Sequence, residues 1–509
     1  MRNTLSIFLI IISIGFTAGC TQSGNNNSDE LALLAMSSSC RADVRKNTSG
    51  ISVVLSPQDS WLMYPGTALP ITATVINDVG SQGVSWNTPS PGSLTGTTTS
   101  SPTYNAPASE TSLSDVVTIT ATSIADVTKT ASLKVTIIPD TGTNIQQITV
   151  TATPVTGAAY YPNAAFATVK ICPAGSVLNC TTVDGILIDT GSYGLRVLES
   201  ALNPGTISNL AKEPGTSGGT VLNNCAQFMD GSSLWGWVAK ADVGLGNTLT
   251  AQNTPIQVVS DTYAIPSACG SVNDSTPALL GSNGILGVGT EQTDCGSSCT
   301  TNATVYYYEC NGGGCTQDTA SLSSQVINPI ANFSSGSYNN GVILAIPSVN
   351  GTAATLTGSM IFGITTGGTN NALSGGAQVF TLDSYGLFST IYKSRSHPYS
   401  FIDSGSNGIF FDDHSIRKDA GGWYAPPCTL DLRATNVGTN SVSGSVAFIV
   451  GNADTLQNTG DAALPGLAAP AGGSQYFDWG FPFFFGRVVY TSIRDTAAVG
   501  SYTPPFWAY

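Results

Sequence analysis

Gly185-Ile-Leu-Ile-Asp-Thr-Gly-Ser-Tyr-Gly-Leu195 decides how this chain is read, because Ser400-Phe-Ile-Asp-Ser-Gly-Ser-Asn-Gly-Ile409 repeats it. Both stretches run as two apolar residues, Asp, Thr or Ser, Gly, Ser, any residue, Gly and an aliphatic residue. The apolar run reads as a buried strand that delivers a carboxylate at its end. Gly191 and Gly405 then let the backbone turn sharply and bring an amide close to the carboxylate. Such a pair makes Asp189 and Asp403 the candidate catalytic groups. Thr190 and Ser404 are expected to bond across the junction of two halves, and Ser192 and Ser406 to hold the outer carboxylate oxygens. Asp, Ser and Gly are also the commonest turn residues, so one such tetrapeptide says little. Its repetition, once in each half, argues for a duplicated β fold.

Outward from these stretches, strand texture runs from Pro139-Asp-Thr-Gly-Thr-Asn144, a linker, almost to Tyr509. Helical periodicity is nearly absent, with short candidates near Asp318 to Phe333 and Val197 to Leu202. Before the linker, Ile71-Thr-Ala-Thr-Val-Ile76, Val116-Val-Thr-Ile-Thr-Ala-Thr122 and Ala131-Ser-Leu-Lys-Val-Thr-Ile-Ile138 alternate apolar and polar residues between Gly, Pro and Asn turns. Short, evenly spaced strands of this kind point to a β-sandwich. The expected fold class is therefore mainly β throughout.

The paired Asp-Thr/Ser-Gly-Ser motifs resemble those of pepsin-like aspartic peptidases. Two companions fall in the order the resemblance implies. Asn283-Gly-Ile-Leu-Gly-Val-Gly289 resembles the segment supporting the first active-site loop, and Phe477-Asp-Trp-Gly-Phe-Pro-Phe-Phe-Phe-Gly-Arg-Val-Val-Tyr490 resembles its near-terminal counterpart. Gly358-Ser-Met-Ile-Phe-Gly363 looks like the strand opening the second lobe. The resemblance implies a bilobal double β-barrel with lobes over residues 148–340 and 341–509. Phe228, Gly231 and Ser232 lie in a stretch that resembles the substrate-covering flap. Phe228 stands where the family usually has tyrosine, and Arg196 where it has the supporting tryptophan. A phenyl ring can cover an apolar side chain but cannot make the tyrosine's hydrogen bond. Residues 51–139 resemble a bacterial immunoglobulin-like domain through Gly83-Val-Ser-Trp-Asn87 and Tyr104-Asn-Ala-Pro-Ala108. As a whole the chain resembles an uncharacterised family of bacterial lipoproteins carrying both motifs.

The resemblance implies a polypeptide substrate and a reaction without metal or other cofactor. Two carboxylates held about 3 Å apart cannot both ionise, so they share a proton and can activate a water. A Ser-His-Asp hydrolase would need His397 or His414 and a nucleophile elbow that is not evident. A glycosidase pair need not sit in repeated motifs. The alternative from another class is a catalytically silent pepsin-like fold acting as a surface binding or adhesion lipoprotein.

Composition narrows the setting. Charged residues are only 9% of 509, and the net charge of -14 repels nucleic-acid phosphates. Arg2, the apolar run Leu5 to Phe16 and Thr17-Ala-Gly-Cys20 read as an export signal over residues 1–19 that resembles a lipobox. This implies lipid attachment at Cys20, a tether over 20–50 and a place in the bacterial cell envelope. Thr21, instead of Asp, points to the outer membrane. Of 11 cysteines, those beyond Cys20 suit disulfides in an exported chain. Spacing favours Cys172 with Cys180, Cys295 with Cys299 and Cys310 with Cys315. A zinc site at the last four is the weaker rival, since exported thiols oxidise.

Overall fold

The computed structural model describes residues 50–509, apart from 114, 229, 230, 247, 271, 272, 335 and 375. The export signal, the lipid-attachment reading of Cys20 and all of the tether but residue 50 lie outside the described residues. The chain is mainly β. The alternation read before the linker becomes the strands Thr72–Ile76, Val116–Ser123 and Thr130–Ile137. They belong to three small sheets of two, four and three strands around a shared core that includes Leu55, Ile71, Tyr104, Ile119 and Val135. Every second residue from Val117 to Ser123 is buried, as a strand with one wet face requires.

The linker is fastened to the β-rich region on its C-terminal side. Ser359 Oγ donates to the Pro139 carbonyl at 2.6 Å, and Asn144 Nδ2 donates to the Phe362 carbonyl at 2.9 Å. Leu62 and Ile138 pack on Ala345, while Leu62 N–H donates to Ser348 Oγ at 3.0 Å.

Beyond the linker, six strands close on themselves. Ser233–Leu245, Leu249–Val259, Tyr193–Leu198, Gly284–Val288, Thr181–Asp189 and Ala165–Pro173 are hydrogen-bonded in that order, and Ala165–Pro173 pairs back onto Ser233–Leu245 through Lys170 and Gly244. Closure removes the strand edges that would otherwise need covering. Ile145–Val150 continues this sheet into Leu356–Phe362, Gly341–Ile346 and Arg487–Ser492. A separate seven-stranded sheet carries Arg395–Ile402 and Tyr476–Trp479. The apolar interior of barrel and sheet forms one cluster, from Val169 and Trp237 to Phe411 and Trp479.

Two helical expectations are corrected. Asp318 to Phe333 holds turns instead of a helix, and Val197 to Leu202 is the end of a strand followed by the 3-10 turn Glu199–Ala201. The nearby helix is Pro204–Asn209, started by Asn203 accepting from Thr206 N–H, with Pro204 in its first turn. Among the described residues no helix is long and apolar enough to cross a membrane. Cys172–Cys180, Cys295–Cys299 and Cys310–Cys315 are disulfides as spacing suggested, which takes up the thiols of the zinc reading. Cys225–Cys269 is a fourth that spacing did not single out.

Candidate active site

Each candidate aspartate stands where its strand ends, between two neighbours that fix the loop after it. Thr181–Asp189 pairs in parallel with Gly284–Val288, which pairs antiparallel with Tyr193–Leu198 on its other side. The second copy repeats the arrangement: Tyr476–Trp479 lies between Arg395–Ile402, in parallel, and Ile409–Phe411, antiparallel. Each companion segment is thus a strand threaded between the two arms of a motif. Close approach explains the glycine that follows the second: a Cβ on Gly480 would sit 2.0 Å from the Gly408 carbonyl oxygen.

The loops meet. Thr190 N–H donates to Ser404 Oγ at 3.0 Å and Ser404 N–H donates to Thr190 Oγ1 at 2.9 Å. Each hydroxyl then donates onward, Thr190 Oγ1 to the Ile402 carbonyl at 3.1 Å and Ser404 Oγ to the Ile188 carbonyl at 2.7 Å. All four bonds are buried, so the two loops are held in one geometry by groups that water does not reach.

The carboxyls are clasped in matching ways. Gly191 N–H donates to Asp189 Oδ1 at 2.8 Å and Ser192 Oγ donates to Oδ2; Gly405 N–H donates to Asp403 Oδ1 at 2.7 Å and Ser406 Oγ to Oδ2 at 2.8 Å. The two carboxyls are hydrogen-bonded to each other. A Cβ on Gly191 would lie 2.6 Å from Asp403 Cγ, so only glycine leaves the second carboxyl its place. Both aspartates are fully buried. Burial, then the nearby charge of Asp403, pushes Asp189 well above the usual carboxylate range. Burial also raises Asp403, but the bond from Asp189 and those from Ser406 and Gly405 oppose it. Both carboxyls are raised, and two like charges this close cannot both ionise, so the pair titrates as one unit.

The flap stretch forms a hairpin. Val221–Gln227 pairs antiparallel with Ser233–Leu245, and Phe228 N–H donates to the Ser232 carbonyl while Gly231 N–H returns to the Phe228 carbonyl, both at 3.0 Å. Met229 and Asp230 lie outside the described residues. The Phe228 ring is buried in a cluster with Tyr161, Phe166 and Leu187. Arg196 is also buried: its guanidinium pairs with Asp294 at 3.1 Å and donates to the Tyr193 carbonyl. Asp294 further accepts from Asn224 and Tyr307. A cleft of about 1160 Å³ opens beside Ser192 and Phe228, with Asp294, Tyr385 and Arg494 also lining it. Neither Asp189 nor Asp403 lines it.

Two features escaped the sequence reading. Asp478, inside the apolar companion segment, is a third fully buried carboxyl beside the pair. A strap from Tyr160 to Asn163 crosses to the second motif: Tyr161 donates its hydroxyl to the Gly405 carbonyl at 2.7 Å, and Asn163 Nδ2 donates to the Asn407 and Leu464 carbonyls at 2.9 Å. A charged residue inside an apolar run was the available signal for the first. The second had none beyond Pro-Asn.

The family model described as "Protein of unknown function (DUF3443)" matches residues 140–509. The chain belongs to this family. Its span starts inside the linker and takes in both motifs, both threaded strands, the strap and Asp478, whereas the three small sheets before it fall outside. No curated protein matches the chain.

Proposed function

We propose that this DUF3443 protein is an envelope-anchored aspartic endopeptidase built on a pepsin-like bilobal fold. The observation that carries the reading is the pair of buried, adjoining carboxyls, each clasped by a glycine amide and a serine hydroxyl, on loops locked together by Thr190 and Ser404. In the proposed reaction a water between the carboxyls gives a proton to Asp403 while its oxygen attacks the peptide carbonyl carbon. Asp189 gives its proton to the carbonyl oxygen, leaving a tetrahedral diol. Asp403 then protonates the departing nitrogen, Asp189 takes a proton back from the diol, and the C–N bond breaks. The pair ends as it began, and no metal or cofactor enters.

The substrate is a polypeptide, and the hairpin at Phe228, Gly231 and Ser232 covers it. Residues 51–139 are read as an immunoglobulin-like sandwich that spaces the enzyme from a lipid on Cys20, with the outer membrane as the anchoring surface. The test is cleavage of denatured casein at acid pH by the purified protein, with and without pepstatin; no turnover at any pH, in wild type as in Asp189→Asn and Asp403→Asn, rejects the peptidase. One observation favours the competing reading of a silent binding or adhesion lipoprotein: both carboxyls are fully covered, and the strap sits on the second motif.

A further inference from the structure

Asp478 sits on the threaded strand Tyr476–Trp479, where its register neighbours are Phe401 on one side and Phe410 on the other. It is fully buried, and neither carboxyl oxygen has a hydrogen-bond partner among the described residues. A bare carboxylate in such surroundings is costly to ionise, so an acid there keeps its proton. The polar group beside it is the Ser406 hydroxyl, whose single proton is already given to Asp403 Oδ2. That leaves lone pairs on Ser406 Oγ, which can accept but offer nothing to an anion. The titratable groups that reach Asp478 are Asp403 and Asp189, both of the same sign when ionised. The Ile409–Phe411 strand faces it with Phe410 alone.

We propose that Asp478 is a third carboxyl of the site, a positioning residue kept neutral, which donates to Ser406 Oγ and so commits the Ser406 proton to Asp403. The chain Asp478 to Ser406 to Asp403 favours the negative charge on Asp403 and leaves Asp189 as the acid. It distinguishes two carboxyls that the repeated motif otherwise treats alike. Burial and the charge of Asp403 both push Asp478 well above the usual carboxylate range, consistent with a neutral group.

The inference rests on the peptidase reading for its consequence in turnover but not for its geometry, so two measurements separate them. In kcat/KM against pH, Asp478→Leu removes the donor, weakens the Asp403 anion and moves the acid limb up by about one pH unit. Asp478→Asn keeps a neutral N–H donor of the same shape and returns that limb toward its wild-type position. If Asp478 were instead ionised, Asn would remove a like charge and move both limbs down, which overturns the proposal. In parallel, carbon-13 NMR of aspartate-labelled full chain needs no turnover. The Asp478 signal, identified by its loss in Asp478→Asn, should keep the shift of a protonated carboxyl to neutral pH, and the Asp403 signal should titrate at higher pH in Asp478→Leu. An ionised Asp478 signal at neutral pH, or an Asp403 titration indifferent to Asp478→Leu, sinks the proposal even if casein is cleaved. A protein with no turnover but with the expected signals loses the peptidase reading and keeps the carboxyl chain.

Discussion

Thr190 Oγ1 is at once the acceptor for Ser404 N–H and a donor to the Ile402 carbonyl. Thr190→Val keeps the shape and leaves both partners buried without a bond, so it should cost about 2 to 3 kcal/mol of stability. Urea unfolding reads this directly, and a loss below about 0.5 kcal/mol would mean that water replaces the hydroxyl. For the carboxyls the expectation is kinetic: Asp189→Asn and Asp403→Asn should each abolish turnover about as fully as the double variant, because half of a shared-proton unit does not work at half speed. Additive partial losses would contradict a coupled pair. These residues were legible because strand, carboxylate, glycine and hydroxyl recur in one order. Asp478 was not, since a single Asp between Phe477 and Trp479 looks like noise in an apolar run until the fold buries it beside the pair.

The threaded strands and the hairpin are elements whose type was readable and whose neighbours partly were. Alternation marked Val116–Ser123 and Thr130–Ile137 within a residue or so, because one wet face imposes period two. The helix expected over Asp318 to Phe333 failed because that stretch is held instead by local turns and by Gln325 Nε2 donating to the Gly296 and Ala320 carbonyls. Short disulfide loops were readable from spacing, but Cys225–Cys269, with a separation of 44, was not. It joins the hairpin's first strand to the 3-10 turn Ser267–Cys269, and it packs against Trp235. Loop-closure entropy makes this bond worth about 4 kcal/mol against about 2 for Cys310–Cys315. Replacing each pair by Ala should therefore lower the denaturant midpoint more for Cys225 with Cys269, and equal losses would show that strain or residual structure, not chain entropy, sets the difference.

At the scale of the whole molecule, the burial of acids sets how stability should vary with pH. Asp189, Asp403 and Asp478 are raised by burial, and burial raises Asp294 and Glu291 as well despite Arg196 and Arg494 beside them. Below about pH 4 these groups are protonated folded or unfolded and contribute nothing. As pH climbs through the unfolded values the unfolded chain sheds protons that the folded chain keeps, so each group subtracts stability until its own folded pKa is passed. Asp413 works in the other direction. Burial alone would raise it, but Lys393, Ser415 and Tyr392 bring it below the usual range, so its support is present above the unfolded value and is lost only in strong acid. The net charge of -14 adds repulsion on the alkaline side. Thermal unfolding at fixed ionic strength should accordingly give its highest midpoint near about pH 4 to 5 and a lower one near about pH 7.5. The variant with Asp189→Asn and Asp403→Asn together should lose less over the same interval, because two of the groups that subtract stability are gone. A midpoint that stays level or rises toward about pH 7.5, with the same slope in the double variant, would mean that the buried carboxyls are ionised together and that no proton is shared between them.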